Sequence, residues 1–139
     1  MHVAVIYEST MGRTRAMAQA ICEGVRSEGV TCELIDASSF QILEDVCALA
    51  VGSSTRIKRP LPAIREVLSE MAGLSGLAAA SFGSYGWSGE APDAIADLLG
   101  SKGARLIQEQ PLKAKDYPSE EKLDECRALG AKLAKECRH

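Results

Sequence analysis

Tyr7-Glu8-Ser9-Thr10-Met11-Gly12-Arg13-Thr14 is the stretch that decides how this chain is read. An apolar run, His2 to Tyr7, stops there and a hydroxyl-rich turn containing one glycine follows. Small or apolar residues then recur with helical spacing at Ala16/Met17, Ala20/Ile21 and Gly24/Val25. Strand, tight loop and helix start therefore come in quick succession. Backbone N–H groups at such a helix start lack intrahelical acceptors and carry the positive end of the macrodipole. Together with the hydroxyls of Ser9, Thr10 and Thr14 they form a ready phosphate cradle. Ser and Thr are also the usual helix caps, but three hydroxyls around one glycine exceed what a cap needs.

Working outward, five apolar runs predict strands: Val3–Tyr7, Thr31–Ile35, Val46–Val51, Leu77–Phe82 and Ala104–Ile107. The first, third and fourth are nearly continuous rather than alternating, as in a parallel sheet covered on both faces. Helical spacing predicts helices over Arg13–Glu28, Pro60–Met71, Pro92–Leu99 and Ser119–Cys137, with Ser119 as an N-cap and one short helical turn within Asp36–Asp45. Alternating strands and helices predict one doubly wound α/β domain over residues 1–139, a three-layer sandwich with a five-stranded parallel sheet of order 2-1-3-4-5. Ligands of such sheets sit beyond the carboxyl ends of the strands, near the switch point between strands 1 and 3.

Composition narrows the function. A formal net charge of −3 gives no support to nucleic-acid or anionic-membrane binding. No apolar run approaches the roughly 20 residues of a membrane span. The chain enters a strand without a basic segment and an apolar signal region, so a cytoplasmic protein is expected. Its five cysteines, Cys22, Cys32, Cys47, Cys126 and Cys137, are scattered and lack a Cys-x-x-Cys pair, so neither disulfides nor a metal cluster is expected. The two histidines, His2 and His139, stand at opposite termini, which argues against a histidine metal centre or a Ser-His-Asp triad.

The rule for doubly wound sheets puts unusual residues after strands 1, 3 and 4. They are there: Ser9–Thr14; Gly52-Ser53-Ser54-Thr55-Arg56-Ile57-Lys58-Arg59; and Gly83-Ser84-Tyr85-Gly86-Trp87-Ser88-Gly89-Glu90, which holds the chain's single tryptophan. A tryptophan on a glycine-rich loop serves either as a stacking platform or as a plug folded into the loop, and the platform is favoured.

These loops, together with Pro60-Leu61-Pro62, resemble those of flavodoxin-like domains, and most closely the C-terminal flavodoxin domain of flavodiiron proteins (A-type flavoproteins). The resemblance covers essentially the whole chain and implies FMN. Ser9, Thr10, Met11, Gly12, Arg13 and Thr14 would bind the phosphate. Ser54, Thr55, Arg56 and Ile57 would line one side of the ring and the ribityl chain. Ser84, Tyr85, Gly86 and Trp87 would hold the other side, with Trp87 or Tyr85 stacking. The second loop departs from the family. Where the family often has Pro, Ser54 stands, and Arg56, Lys58 and Arg59 make the loop basic where an aromatic or Asn is common. With only two histidines, diiron chemistry is not expected of this polypeptide.

The resemblance implies an electron carrier in which the flavin does the chemistry and no residue acts as general acid or base. The basic loop would favour a negatively charged reduced ring and steer an acidic redox partner protein. The alternatives are an FMN-dependent NAD(P)H or quinone reductase of the same fold, with a homodimer as its usual form, and a flavodoxin-like module that has lost its cofactor. A response-regulator receiver domain would need an Asp at the end of strand 3, where Val51 and Gly52 stand.

Overall fold

A computed structural model of the chain describes residues 1–40, 42–56 and 58–137. Strand β1 (His2–Glu8) lies between β2 (Cys32–Asp36) and β3 (Val46–Ser53); β6 (Ala78–Tyr85) lies beyond β3, and every pairing in this sheet is parallel. The continuous apolar runs have the expected cause. Val3, Val5 and Tyr7 pack towards α1 (Arg13–Ser27) and α4 (Glu120–Lys135). Ala4 and Ile6 pack towards α2 (Pro62–Glu70) and α3 (Ala91–Ser101). A 3-10 turn at Ala37–Ser39 is the short helical turn expected before β3.

Helices α1 and α4 touch backbone to backbone. A Cβ at Gly24 would stand 1.9 Å from the Arg127 carbonyl oxygen, and one at Gly130 would stand 1.9 Å from that of Ile21. This contact seats the second half of α1 against α4.

The sheet has the expected order, with its fifth position divided. The fifth position is filled by two short strands, β7 (Arg105–Leu106) and β8 (Leu112–Lys115), both parallel to β6 on the edge away from β3. In the gap between them, the Ser81 N–H donates to Gln108 Oε1 at 2.6 Å, so a side chain replaces the missing ladder carbonyl. A further two-stranded piece was not anticipated either. Strands β4 (Thr55–Arg56) and β5 (Arg59–Pro60) form an antiparallel hairpin within the second loop.

The expectation on cysteines is overturned. Cys22 of α1 is bonded to Cys32 of β2, and Cys47 of β3 to Cys137 beyond α4. Cys126 is a free, buried thiol, and loss of solvation pushes its pKa up to about 12. Motif spacing cannot reveal such pairs, because packing of a helix on its neighbouring strand brings them together.

Candidate functional site

The carboxyl ends of β1, β3, β6 and β8 open onto one edge, where the loops carrying the expected site residues lie together. Thr14 is the knot. Its side chain is 0% exposed, and its Oγ1 lies 2.7 Å from Ser84 Oγ and 3.1 Å from Ser54 Oγ while accepting from the Ser84 N–H at 3.3 Å. One hydroxyl thus joins the first turn of α1 to the loop after β3 and to the end of β6.

The crest of the first loop is open. Gly12 has φ +80°, a conformation L side chains rarely adopt, and its N–H donates to Ser9 Oγ at 3.0 Å. Thr10 and Met11 are exposed beside it. No side chain caps α1, and among the described residues the N–H groups of Arg13, Thr14 and Arg15 find no acceptor. The other helix starts differ. Glu8 Oε1 accepts from Ile64 N–H and Ser53 Oγ from Leu61 N–H at the start of α2. Thr55 Oγ1 accepts from Ala91 N–H at the start of α3, and Ser119 Oγ accepts from Lys122 N–H at the start of α4.

In the third loop, Trp87 is 95% exposed, so it does not plug the loop. The Tyr85 ring instead folds back over Gly89 of its own loop. Trp87 and Ser88 face Thr55 and Lys58 across a cleft of about 250 Å³. Next to it, Arg56, Lys58, Arg59 and Arg65 line a concavity of about 550 Å³ that includes no carboxylate. Hairpin register sets Arg56 directly opposite Arg59, and Lys58 at its tip has φ 62°. Ile57 lies outside the described residues.

Some residues at this edge carry no signal that the motif reading could use. Glu8 and Ser53 act as remote caps. Asp116, after β8, brings a fourth loop in: its N–H donates to the Tyr85 carbonyl at 2.7 Å, and its Oδ1 lies 3.8 Å from Arg13 Nη1, beside Gly86. Chain order alone could have suggested Asp116, since it follows the last strand of a sheet whose other carboxyl ends are occupied.

A doubly wound parallel sheet here carries an uncapped helix start after β1 and a tryptophan-flanked cleft between the loops after β3 and β6, at the edge where such sheets hold their ligands. The chain belongs to the flavodoxin family, whose profile matches residues 5–130. It is 34% identical to the coenzyme F420H2 oxidase of Methanothermobacter marburgensis, covering 98% of this chain and 36% of that protein. It is also 34% identical to the anaerobic nitric oxide reductase flavorubredoxin of Aeromonas hydrophila, covering 96% of this chain and 29% of that one. The chain thus spans about a third of the length of the curated relatives it matches. Among solved structures, a flavodoxin from the domain Archaea superposes with TM-score 0.95 at 35% identity, and each chain is covered in full. The flavodiiron protein of Giardia intestinalis gives 0.90 at 30% identity, over 97% of this chain and 36% of that one. Flavodoxins carry FMN and transfer electrons, and this chain is a flavodoxin-like FMN protein of that kind. Among the described residues no helix is long and apolar enough to cross a membrane.

Proposed function

We propose that this chain is a single-domain, cytoplasmic electron carrier that exchanges electrons with an acidic redox partner protein. The supporting observation is the uncapped start of α1, with its free N–H groups beside the Ser9 and Thr10 hydroxyls. A phosphate there receives backbone donors and the helix dipole together. Thr14, fastened to Ser54 and Ser84, holds the surrounding loops at the right spacing. The ring belongs in the cleft between Thr55 and Lys58 on one side and Trp87 on the other. When bound, FMN supplies the electron-accepting group; the chain binds it, orients it and sets the charge around it. Among the described residues Arg56, Lys58 and Arg59 form no ion pair; in a chain of net charge −3 they offer a landing surface for negative charge.

Trp87 emission tests the binding mode. Adding FMN to apoprotein should quench this single tryptophan strongly, with saturation at one equivalent. Saturable binding with unchanged emission would move the ring away from Trp87. Partner choice is tested by the pair K58E and R59E, which should slow electron exchange with an acidic partner and flatten its salt dependence, since exposed charges are screened over about 8–10 Å. The reductase alternative, with its homodimer, is tested by mixing oxidised protein with NADH or NADPH. Rapid, saturable bleaching of the flavin would overturn the carrier reading.

A further inference from the structure

The two disulfides differ in what surrounds them. Cys22 and Cys32 are 0% and 6% exposed, sealed between α1 and β2. Cys47 and Cys137 are only half-buried, and both line an open cavity of about 380 Å³ at the amino-terminal edge of the sheet, opposite the flavin edge. Arg105 and Glu136 face the same cavity as an ion pair, so its wall does not repel an incoming thiolate outright. We propose that Cys47–Cys137 is a thiol–disulfide exchange site, open to small thiols and to dithiol reductants, and separate from the flavin.

Position decides which sulfur is attacked. Cys137 follows the end of α4, where the Cys137 N–H donates to the Ala134 carbonyl at 3.0 Å. The negative end of that helix disfavours a thiolate on Cys137, so the better leaving group is Cys47, in β3. The incoming thiolate therefore bonds to Cys137 Sγ, the Cys47–Cys137 bond breaks, and Cys47 leaves as a thiolate that takes up a proton. A second donor thiol then attacks the mixed disulfide, leaving two protein thiols and one oxidised donor disulfide. Reduction releases the covalent tie between β3 and the end of α4, while the Gly24 and Gly130 contacts keep α4 on α1.

The test needs no variant. Native protein purified without reductant is incubated with reduced glutathione, quenched at intervals with excess iodoacetamide at neutral pH, and mapped by peptide mass. Cys47 and Cys137 should become alkylated about tenfold or more faster than Cys22 and Cys32, because reactivity follows access. The transient glutathione adduct should sit on Cys137. Equal opening of both disulfides, or earlier opening of Cys22–Cys32, overturns the proposal. So does labelling of Cys126 in step with Cys47 and Cys137, which would trace the reaction to unfolding, or free Cys47 and Cys137 thiols before any reductant is added.

Discussion

Helix α1 and the other three helices begin in opposite ways, although all four start after a loop with hydroxyl or carboxylate side chains within reach. At α2, α3 and α4 a side chain takes up at least one of the first N–H groups, so part of the donor strength is spent within the fold. At α1 the nearest candidates are engaged elsewhere. Thr14 ties two neighbouring loops, and Ser9 accepts from Gly12 in the turn ahead of the helix. Donor strength left unused inside the protein is available to a ligand. A binding site can therefore arise from the withdrawal of a cap as well as from the addition of special residues.

The contrast is broken most severely by capping α1. Gly12→Asp keeps a residue that tolerates a positive φ and places a carboxylate at the uncapped start. Losing two charge-assisted hydrogen bonds of about 1.5–3 kcal/mol each should weaken FMN about 100-fold or more, and riboflavin, which lacks the phosphate, far less. Titration of both ligands checks this; equal loss would place the phosphate elsewhere.

Next in size comes Thr14→Val, which keeps the shape and removes the knot. Leaving the Ser54 and Ser84 hydroxyls without it should cost about 1–3 kcal/mol in urea unfolding and weaken FMN about tenfold. An unchanged unfolding midpoint would show that the knot holds nothing. Ser119→Ala removes an ordinary cap at the start of α4, the helix that follows β8. It should cost about 1 kcal/mol of stability and leave FMN affinity unchanged. The smallest effect is expected of Glu8→Gln. The amide oxygen can still accept from Ile64 N–H, and only the charge–dipole part, about 0.3–1 kcal/mol, is lost. A larger loss would mean that Glu8 does more than cap α2.

The layers of this fold were legible because both faces of β1, β3 and β6 are covered, which leaves continuous apolar runs. Strand β8 was not legible. Leu112-Lys113-Ala114-Lys115 reads as polar loop, since an edge strand buries little and only Ala114 is fully covered. The β4–β5 hairpin was hidden because Lys58, rather than glycine, takes the positive φ at its tip. At the site, the three loops and Trp87 stood out by composition, but the direction of each hydroxyl did not. One signal went unused: Thr14 precedes Met17, Ala18 and Ile21 by three, four and seven residues, which puts it on the buried stripe of α1. Helix phase could thus have assigned it an inward role. The disulfides depend on contacts between elements that no spacing encodes.

The seam between β7 and β8 makes this protein a host for grafting. Each short strand is registered on β6 by its own bonds, from Arg105 N–H to the Leu77 carbonyl at 2.8 Å and from Asp116 N–H to the Tyr85 carbonyl at 2.7 Å. Exposed Glu109 and Gln110 between them carry none of that register. Lengthening a loop costs only about 0.6 kcal/mol per doubling. A peptide spliced between Glu109 and Gln110 should therefore leave FMN binding intact and shift the melting temperature by only about 2–4 °C. A collapse would reveal that the Gln108 patch on Ser81, rather than the strands, keeps the edge in place. If the edge holds, a docking module chosen by the experimenter could be attached there, beside a redox centre whose own loops stay untouched.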